Sequence, residues 1–181
     1  MPETRTHPMP QSLTLRPALA RLPLQRSGLR IEALLEGTVL HLLAPVGSGP
    51  AGLTAELGAS GLSLRPVSPG QWFAVGDAVL SNTARAALAA RLKPAAEVVD
   101  QSHGRVRIAL SGPMATRVLA KGTAADLSLT AFPIDHATTT LIGHIAAHLT
   151  RIAEDRFELI VLRGFAESQW EDLDRMSAEF G

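Results

Sequence analysis

The sequence predicts an α+β domain with a mainly antiparallel sheet and helices packed on it. Three observations carry this. Leu29, Ile31 and Ala33 alternate with Arg30 and Glu32, and Val106, Ile108 and Leu110 alternate with Arg105, Arg107 and Ala109, the period of a strand with one face covered. Two segments, Asn82 to Leu92 and Phe165 to Ala178, have helical spacing between recognisable start and stop residues. The strands and helices do not alternate as regular βαβ units, which argues against a parallel sheet.

Residues 1–27 hold five prolines and four arginines and read as an irregular arm ordered by contact with something else. A strand opens at Gly28, and Val39 to Val46 forms a second, with Gly37 as the turn between them. Pro50 to Leu57 suits a short helix, with proline at its first position and Gly58 at its end. Leu62 to Leu64 and Gln71 to Val75 read as short strands separated by Pro66 and Pro69. The helix from Asn82 to Leu92 is capped by Ser81 or Asn82 and stopped by Pro94, with Ala84, Leu88 and Leu92 as its apolar stripe. Val98 to Leu110 is one long strand or two. A helix from Pro113 to Lys121 faces Met114, Val118 and Leu119 inward. Thr138 to Ile152 and Phe157 to Leu162 are β-branched and apolar, turning at Glu154 and Asp155. The last helix carries Ala166, Trp170 and Leu173 at i, i+4, i+7. Residues 28–181 are expected to form one domain, with 28–95 and 96–181 as its two lobes.

With 17 Lys and Arg against 17 Asp and Glu, the net charge is zero, which argues against nucleic acid or an anionic membrane as partner. The absence of cysteine excludes disulfides, thiol catalysis and Cys-ligated metal. No apolar run approaches a membrane span, and the proline-broken N-terminus makes a poor signal peptide, so a cytoplasmic location is expected.

Four clusters contain residue types that can carry chemistry. Gly47-Ser48-Gly49-Pro50-Ala51-Gly52 fits G-x-G-x-x-G, yet the helix behind it is about two turns and the next strand leads into Arg65 rather than a ribose-binding acid, so it reads as a glycine-rich loop. His144 and His148 have the i, i+4 spacing of zinc ligands, but their segment reads as strand and Ile145 stands where a protease carries Glu; half-exposed strand histidines are the better reading. Asp100, Ser102 and His103 hold the residue types of a triad, but strand neighbours point to opposite faces, which favours a polar turn. Arg105, Arg107 and Arg117 read as a solvated face or subunit contact, and Trp170 as core. No residue is assigned as catalytic, cofactor-binding or metal-ligating.

Asp100-Gln101-Ser102-His103-Gly104-Arg105, leading into Leu110-Ser111-Gly112-Pro113-Met114-Ala115, resembles the D-x-S-H…G-P-x-A pattern of the folate-binding family that includes glycine-cleavage aminomethyltransferases. Val118-Leu119-Ala120-Lys121-Gly122, Asp126-Leu127, Pro69-Gly70-Gln71-Trp72-Phe73 and Leu162-Arg163-Gly164-Phe165-Ala166 with Trp170 and Leu173 are similar, more narrowly, to the gamma subunits of heterotetrameric sarcosine oxidases, with Gly164 where that pattern usually has Ser. The resemblance covers roughly Leu15 to the end. It implies the α+β fold of folate-binding aminomethyltransferase domains and a non-catalytic accessory role in a complex that oxidises sarcosine to glycine. FAD, FMN, NAD and tetrahydrofolate are then expected on partner subunits, the larger alpha and beta and the small delta, and none on this chain.

In the aminomethyltransferases an acidic pair follows a glycine-rich turn, and a carboxylate there positions the folate amine. Ala146 and Ala147 stand at the corresponding place, within a residue of register, and methyl groups neither stabilise a cation nor move a proton. The alternative is a stand-alone folate-binding or aminomethyltransferase-like protein; a small-molecule binder forming homo-oligomers is a third reading.

Overall fold

The computed structural model describes residues 17–181. The first sixteen residues of the expected arm lie outside that range. The rest of the arm does not: Leu19 is buried in the main core, and Leu24–Arg26 forms strand β1. β1 turns at Gly28 into β2 (Leu29–Ala33), and ion pairs from Arg21 to Glu167 and from Arg26 to Asp174 fasten it to the C-terminal helix. Arg21 and Arg26, two of the arm's four arginines, thus tie it to its own domain.

β3 (Thr38–Leu43), helix α1 (Pro50–Leu57), β4 (Ser63–Ser68), β5 (Gln71–Gly76), helix α2 (Asn82–Leu92) and β6 (Glu97–Asp100) follow. Pro66 lies inside β4 rather than ending it, because β4 is an edge strand and its bulge falls between Pro66 and Ser68. Ser81 Oγ accepts the Ala84 amide at 3.1 Å and starts α2; Leu88 and Leu92 are its buried stripe, whereas Ala84 is exposed. Gly37 is not a left-handed turn. A Cβ there would stand 2.2 Å from the Gly76 carbonyl oxygen, so glycine is needed for backbone approach.

β7 (Arg105–Ser111), helix α3 (Ala115–Ala120), β8 (Ala137–Ile142), β9 (Ile145–Ala153), β10 (Arg156–Leu162) and helix α4 (Ala166–Ser177) complete the fold. β6 and β7 are separate strands in different sheets. The run Thr138 to Ile152 breaks at Gly143 (φ 64°), the first residue of a two-residue hairpin turn.

Every strand pair is antiparallel, as expected for the α+β class. One sheet has six strands in the order β1-β2-β7-β10-β9-β8, the other four in the order β4-β5-β3-β6. Val106, Ile108, Leu110, Phe157, Leu159 and Val161 pack with Val118, Leu119, Trp170 and Leu173 of α3 and α4. Leu40, Leu42, Trp72 and Ala74 pack with Leu53, Leu57, Leu88 and Leu92 of α1 and α2. Val39, Phe73 and Val75 meet Ile160 where the two sheets face each other. The order of layers is helix, sheet, sheet, helix.

Candidate functional site

The alternate residues of β7, β9 and β10 that point away from α3 and α4 are largely polar, and the second sheet covers them. Glu158 is 4% exposed and sits between two arginines. Arg107 donates to it through Nε at 2.7 Å and Nη2 at 3.0 Å, and Arg65 of β4 through Nη1 at 2.9 Å and Nη2 at 3.3 Å. Arg107 also reaches the Gly76 carbonyl and Asp77 Oδ1, and Arg65 Nε reaches Ser63 Oγ. Burial pushes the Glu158 carboxyl up, but the hydrogen bonds and charges of the two arginines outweigh it and hold it below the usual glutamate range. Burial likewise opposes the Arg107 charge, and the Glu158 and Asp77 carboxylates more than restore it.

His148 is buried beside this cluster. Its Nε2 donates to the Pro66 carbonyl at 2.9 Å, and its ring meets Phe73 edge-on at 5.1 Å. Burial pushes its pKa down to about 4 against the pull of that hydrogen bond, so the ring is neutral at pH 7 with Nδ1 unprotonated and without a partner. The Arg105 guanidinium stands over the Phe73 ring, 5.3 Å from its centroid.

A Cβ on Gly47, Gly49 or Gly52 meets nothing within 4 Å, so none of these glycines serves a close backbone approach, and the strand after α1 runs antiparallel in its sheet. His144 sits exposed in the β8–β9 turn, while His148 is buried rather than half-exposed. Among the described residues no group of three or more His, Asp or Glu is placed to hold a metal ion. Asp100 Oδ1 accepts both the Ser102 amide at 3.0 Å and the Ser102 hydroxyl at 2.6 Å, and Ser102 Oγ accepts the Val39 amide. Arg85 holds the other Asp100 oxygen. His103 points to solvent, so D-x-S-H is a polar turn clamping β6 to β3, with no free nucleophile. Arg105, Arg107 and Arg117 do not share a face: Arg107 is buried on β7, and Arg117 is exposed on α3. Trp170 is core, 6% exposed.

Ala146 and Ala147 point opposite ways. Ala147 is 1% exposed, within the apolar core under α3 and α4, and Ala146 is exposed. Sequence reasoning did not single out Arg65, Asp77, Thr150 or Glu158. The available signal was a lone charge inside an apolar run, Glu158 in Phe157-Glu158-Leu159-Ile160-Val161 and Arg107 in Val106-Arg107-Ile108. Around the cluster lie two hollows. One, of about 250 Å³, is lined by Ser63, Arg65, Asp77, Arg107, Arg156 and Glu158; the other, of about 420 Å³, by Thr54, Ser63, Arg65, Asp135 and Thr150. The cleft of Leu19, Leu34, Glu36 and Ser102 holds only about 20 Å³, room for one water.

Residues 67–181 match the family described as the GCVT N-terminal domain. A chain of the heterotetrameric sarcosine oxidase from Corynebacterium sp. U-96, in complex with pyrrole 2-carboxylate, superposes with a TM-score of 0.76 at 25% identity, over 87% of this chain and 87% of that chain. The regulatory subunit of aspartate kinase from Thermus thermophilus (TM-score 0.47, 14% identity, 83% of this chain and 97% of that one) and E. coli aspartokinase III (0.48, 14%, 87% and 34%) are too distant to support an argument. No curated protein matches the sequence.

Proposed function

Because the chain belongs to the GCVT N-terminal domain family, we propose that it is a non-catalytic gamma-type subunit of a heterotetrameric sarcosine oxidase. One observation carries the reading: the superposition with a sarcosine oxidase chain takes in the same 87% of both molecules, so the two chains have nearly equal length.

The residues present do not fit a folate one-carbon site. Ala146 and Ala147 offer methyl groups where the resemblance expects acids, Ala147 is sealed in the core, and the Asp100 carboxylate of the D-x-S-H turn is spent on Ser102 and Arg85. The chain's role is assembly: it holds the larger alpha and beta subunits and the small delta subunit in register. FAD, FMN, NAD and tetrahydrofolate belong to those partners, and the location is cytoplasmic. No helix among the described residues is long and apolar enough to cross a membrane.

Family membership keeps a second reading in play, a stand-alone folate-binding or aminomethyltransferase-like protein. Affinity purification from the native cell separates the two. Co-purification of flavin-bearing subunits with sarcosine oxidation supports the first. A chain recovered alone that binds tetrahydrofolate at micromolar concentration in a calorimetric titration replaces it with the second.

A further inference from the structure

We propose that the uncovered end of the six-stranded sheet, the row Arg105, Leu162, Ala146 and Leu141, docks an apolar, carboxylate-bearing segment of a partner subunit, an inference that rests on the subunit reading above. Leu162 pairs with Arg105, and Leu141 with Ala146. Val161 pairs with Ala147, so Leu162 and Ala146, one step further along each strand, are neighbours. The row thus crosses β7, β10, β9 and β8. It lies on the same face as Arg107, Ile160 and His148, two residues along each strand. Those three are sealed between the sheets, at 6%, 0% and 2% exposure. The second sheet stops short of the next row, where Leu141 is 57% and Leu162 44% exposed and Ala146 is exposed too. The row therefore continues a buried interface without its cover, and contiguous exposed apolar side chains of this kind mark an interaction surface.

Arg105 defines the chemistry of the cover. It is half-buried over the Phe73 ring, its Nε reaches Gln101 Oε1 at 3.4 Å, and it forms no ion pair among the described residues. Burial pushes its pKa down, and no carboxylate offsets that. Arg107, two residues on, is held by Glu158 and Asp77 instead. A segment laid over the row strips the remaining water from Arg105, which is costly unless the segment brings a carboxylate. The row itself holds no acid, so a second copy of the same surface cannot supply one. Four neighbouring strands cross about 14 Å, the length of about four extended residues and more than one small carboxylic acid covers. A protein segment with aliphatic side chains and one Asp or Glu fits.

The test uses the full chain, tagged in its native cell, with the flavin-bearing subunits it retains on purification measured by their flavin content. Arg105→Gln removes a charge-assisted hydrogen bond, and Leu141→Lys puts a cation where an apolar contact is required. Each should lower the retained amount about tenfold, and both chains should unfold thermally like the parent. Arg105→Lys, which keeps the charge, should lose less. Retention unchanged in Arg105→Gln and Leu141→Lys overturns this inference and leaves the subunit reading standing. A parent chain that retains no such subunit overturns both. A parent chain that dimerises, with the dimer lost in Leu141→Lys, puts a second copy on the row and overturns the inference as well.

Discussion

The six-stranded sheet presents two different chemistries from the same three strands. Toward α3 and α4, β7, β9 and β10 send Val106, Ile108, Leu110, Ala147, Leu149, Phe157, Leu159 and Val161. Toward the second sheet they send Arg107, His148, Thr150 and Glu158. Apolar contact is nondirectional and stabilises many relative positions of two layers almost equally. A carboxylate gripped by two forked guanidiniums has one good geometry. The helix side therefore supplies cohesion, and the inter-sheet side fixes how the second sheet is seated.

Exchanging the chemistries one position at a time breaks this comparison. The largest effect is expected for Ala147→Asp, which puts a carboxylate into the apolar core. A fully buried acid is displaced upward by about 3–5 pKa units, so it is protonated in the fold, which caps the ionisation cost at about 4 kcal/mol at pH 7, and forcing the added atoms into a packed core costs about 1–3 kcal/mol more. Ala146→Asp, one residue away and exposed, should change stability by less than about 0.5 kcal/mol. Urea unfolding at pH 7 measures both; equal costs would show that the two faces do not differ as described.

Next comes Glu158→Ala. It leaves Arg65 a buried charge without a carboxylate and Arg107 with Asp77 alone, and breaking a buried pair typically costs about 3–5 kcal/mol. Replacing all three by apolar residues of similar volume should be far milder, and if it is, the cluster contributes seating rather than net stability. Unfolding of the single and triple variants, side by side, reads this out.

The smallest effect separates the faces by pH, since apolar contacts exchange no proton. The folded His148 pKa, about 4, lies below its ordinary 6.5. Below pH 6.5 the unfolded chain gains a proton that the folded chain refuses, so stability falls with pH by about 1.4 kcal/mol per unit, about 3 kcal/mol by pH 4. Glu158, whose folded pKa is depressed, adds its own loss only as pH drops through its ordinary 4.5. His148→Gln keeps a donor for the Pro66 carbonyl and should flatten the slope between pH 6.5 and 5 by one proton. An unchanged slope would assign the acid sensitivity elsewhere.

The same contrast explains what was legible in the sequence. Helices α1, α2 and α4 end within a residue or two of where prolines, Ser81 and the apolar stripe place them. Local signals fix local structure. β1 was not legible, because Leu24–Arg26 is a strand only by pairing with β2 and by Arg26 reaching Asp174. Nor was the inter-sheet cluster. Alternation at Val106-Arg107-Ile108 shows that Arg107 faces away from the apolar core, and period two cannot distinguish water from a second sheet bearing Arg65. That Ala146 and Ala147 carry no acid is plain from the sequence, but only the strand's direction reveals that Ala147 faces the apolar core.

One connection in the fold has a consequence in time. The four-stranded sheet and both helices that cover it come from one unbroken stretch, Thr38 to Asp100, inserted between β2 and β7 of the other sheet. Ala33 must find Ile108, so β2, free to pair with β1 at once, cannot pair with β7 until the whole insert has been synthesised and its ends brought together. An unstructured insert makes that closure entropically costly, and a folded one presents β2 and β7 at short range. The connectivity thus favours an order of assembly in which the inserted sheet forms first and templates the larger one. Pulsed hydrogen exchange during refolding should protect amides of β3 and β5 before those of β2; simultaneous protection would mean that the two sheets condense as one unit.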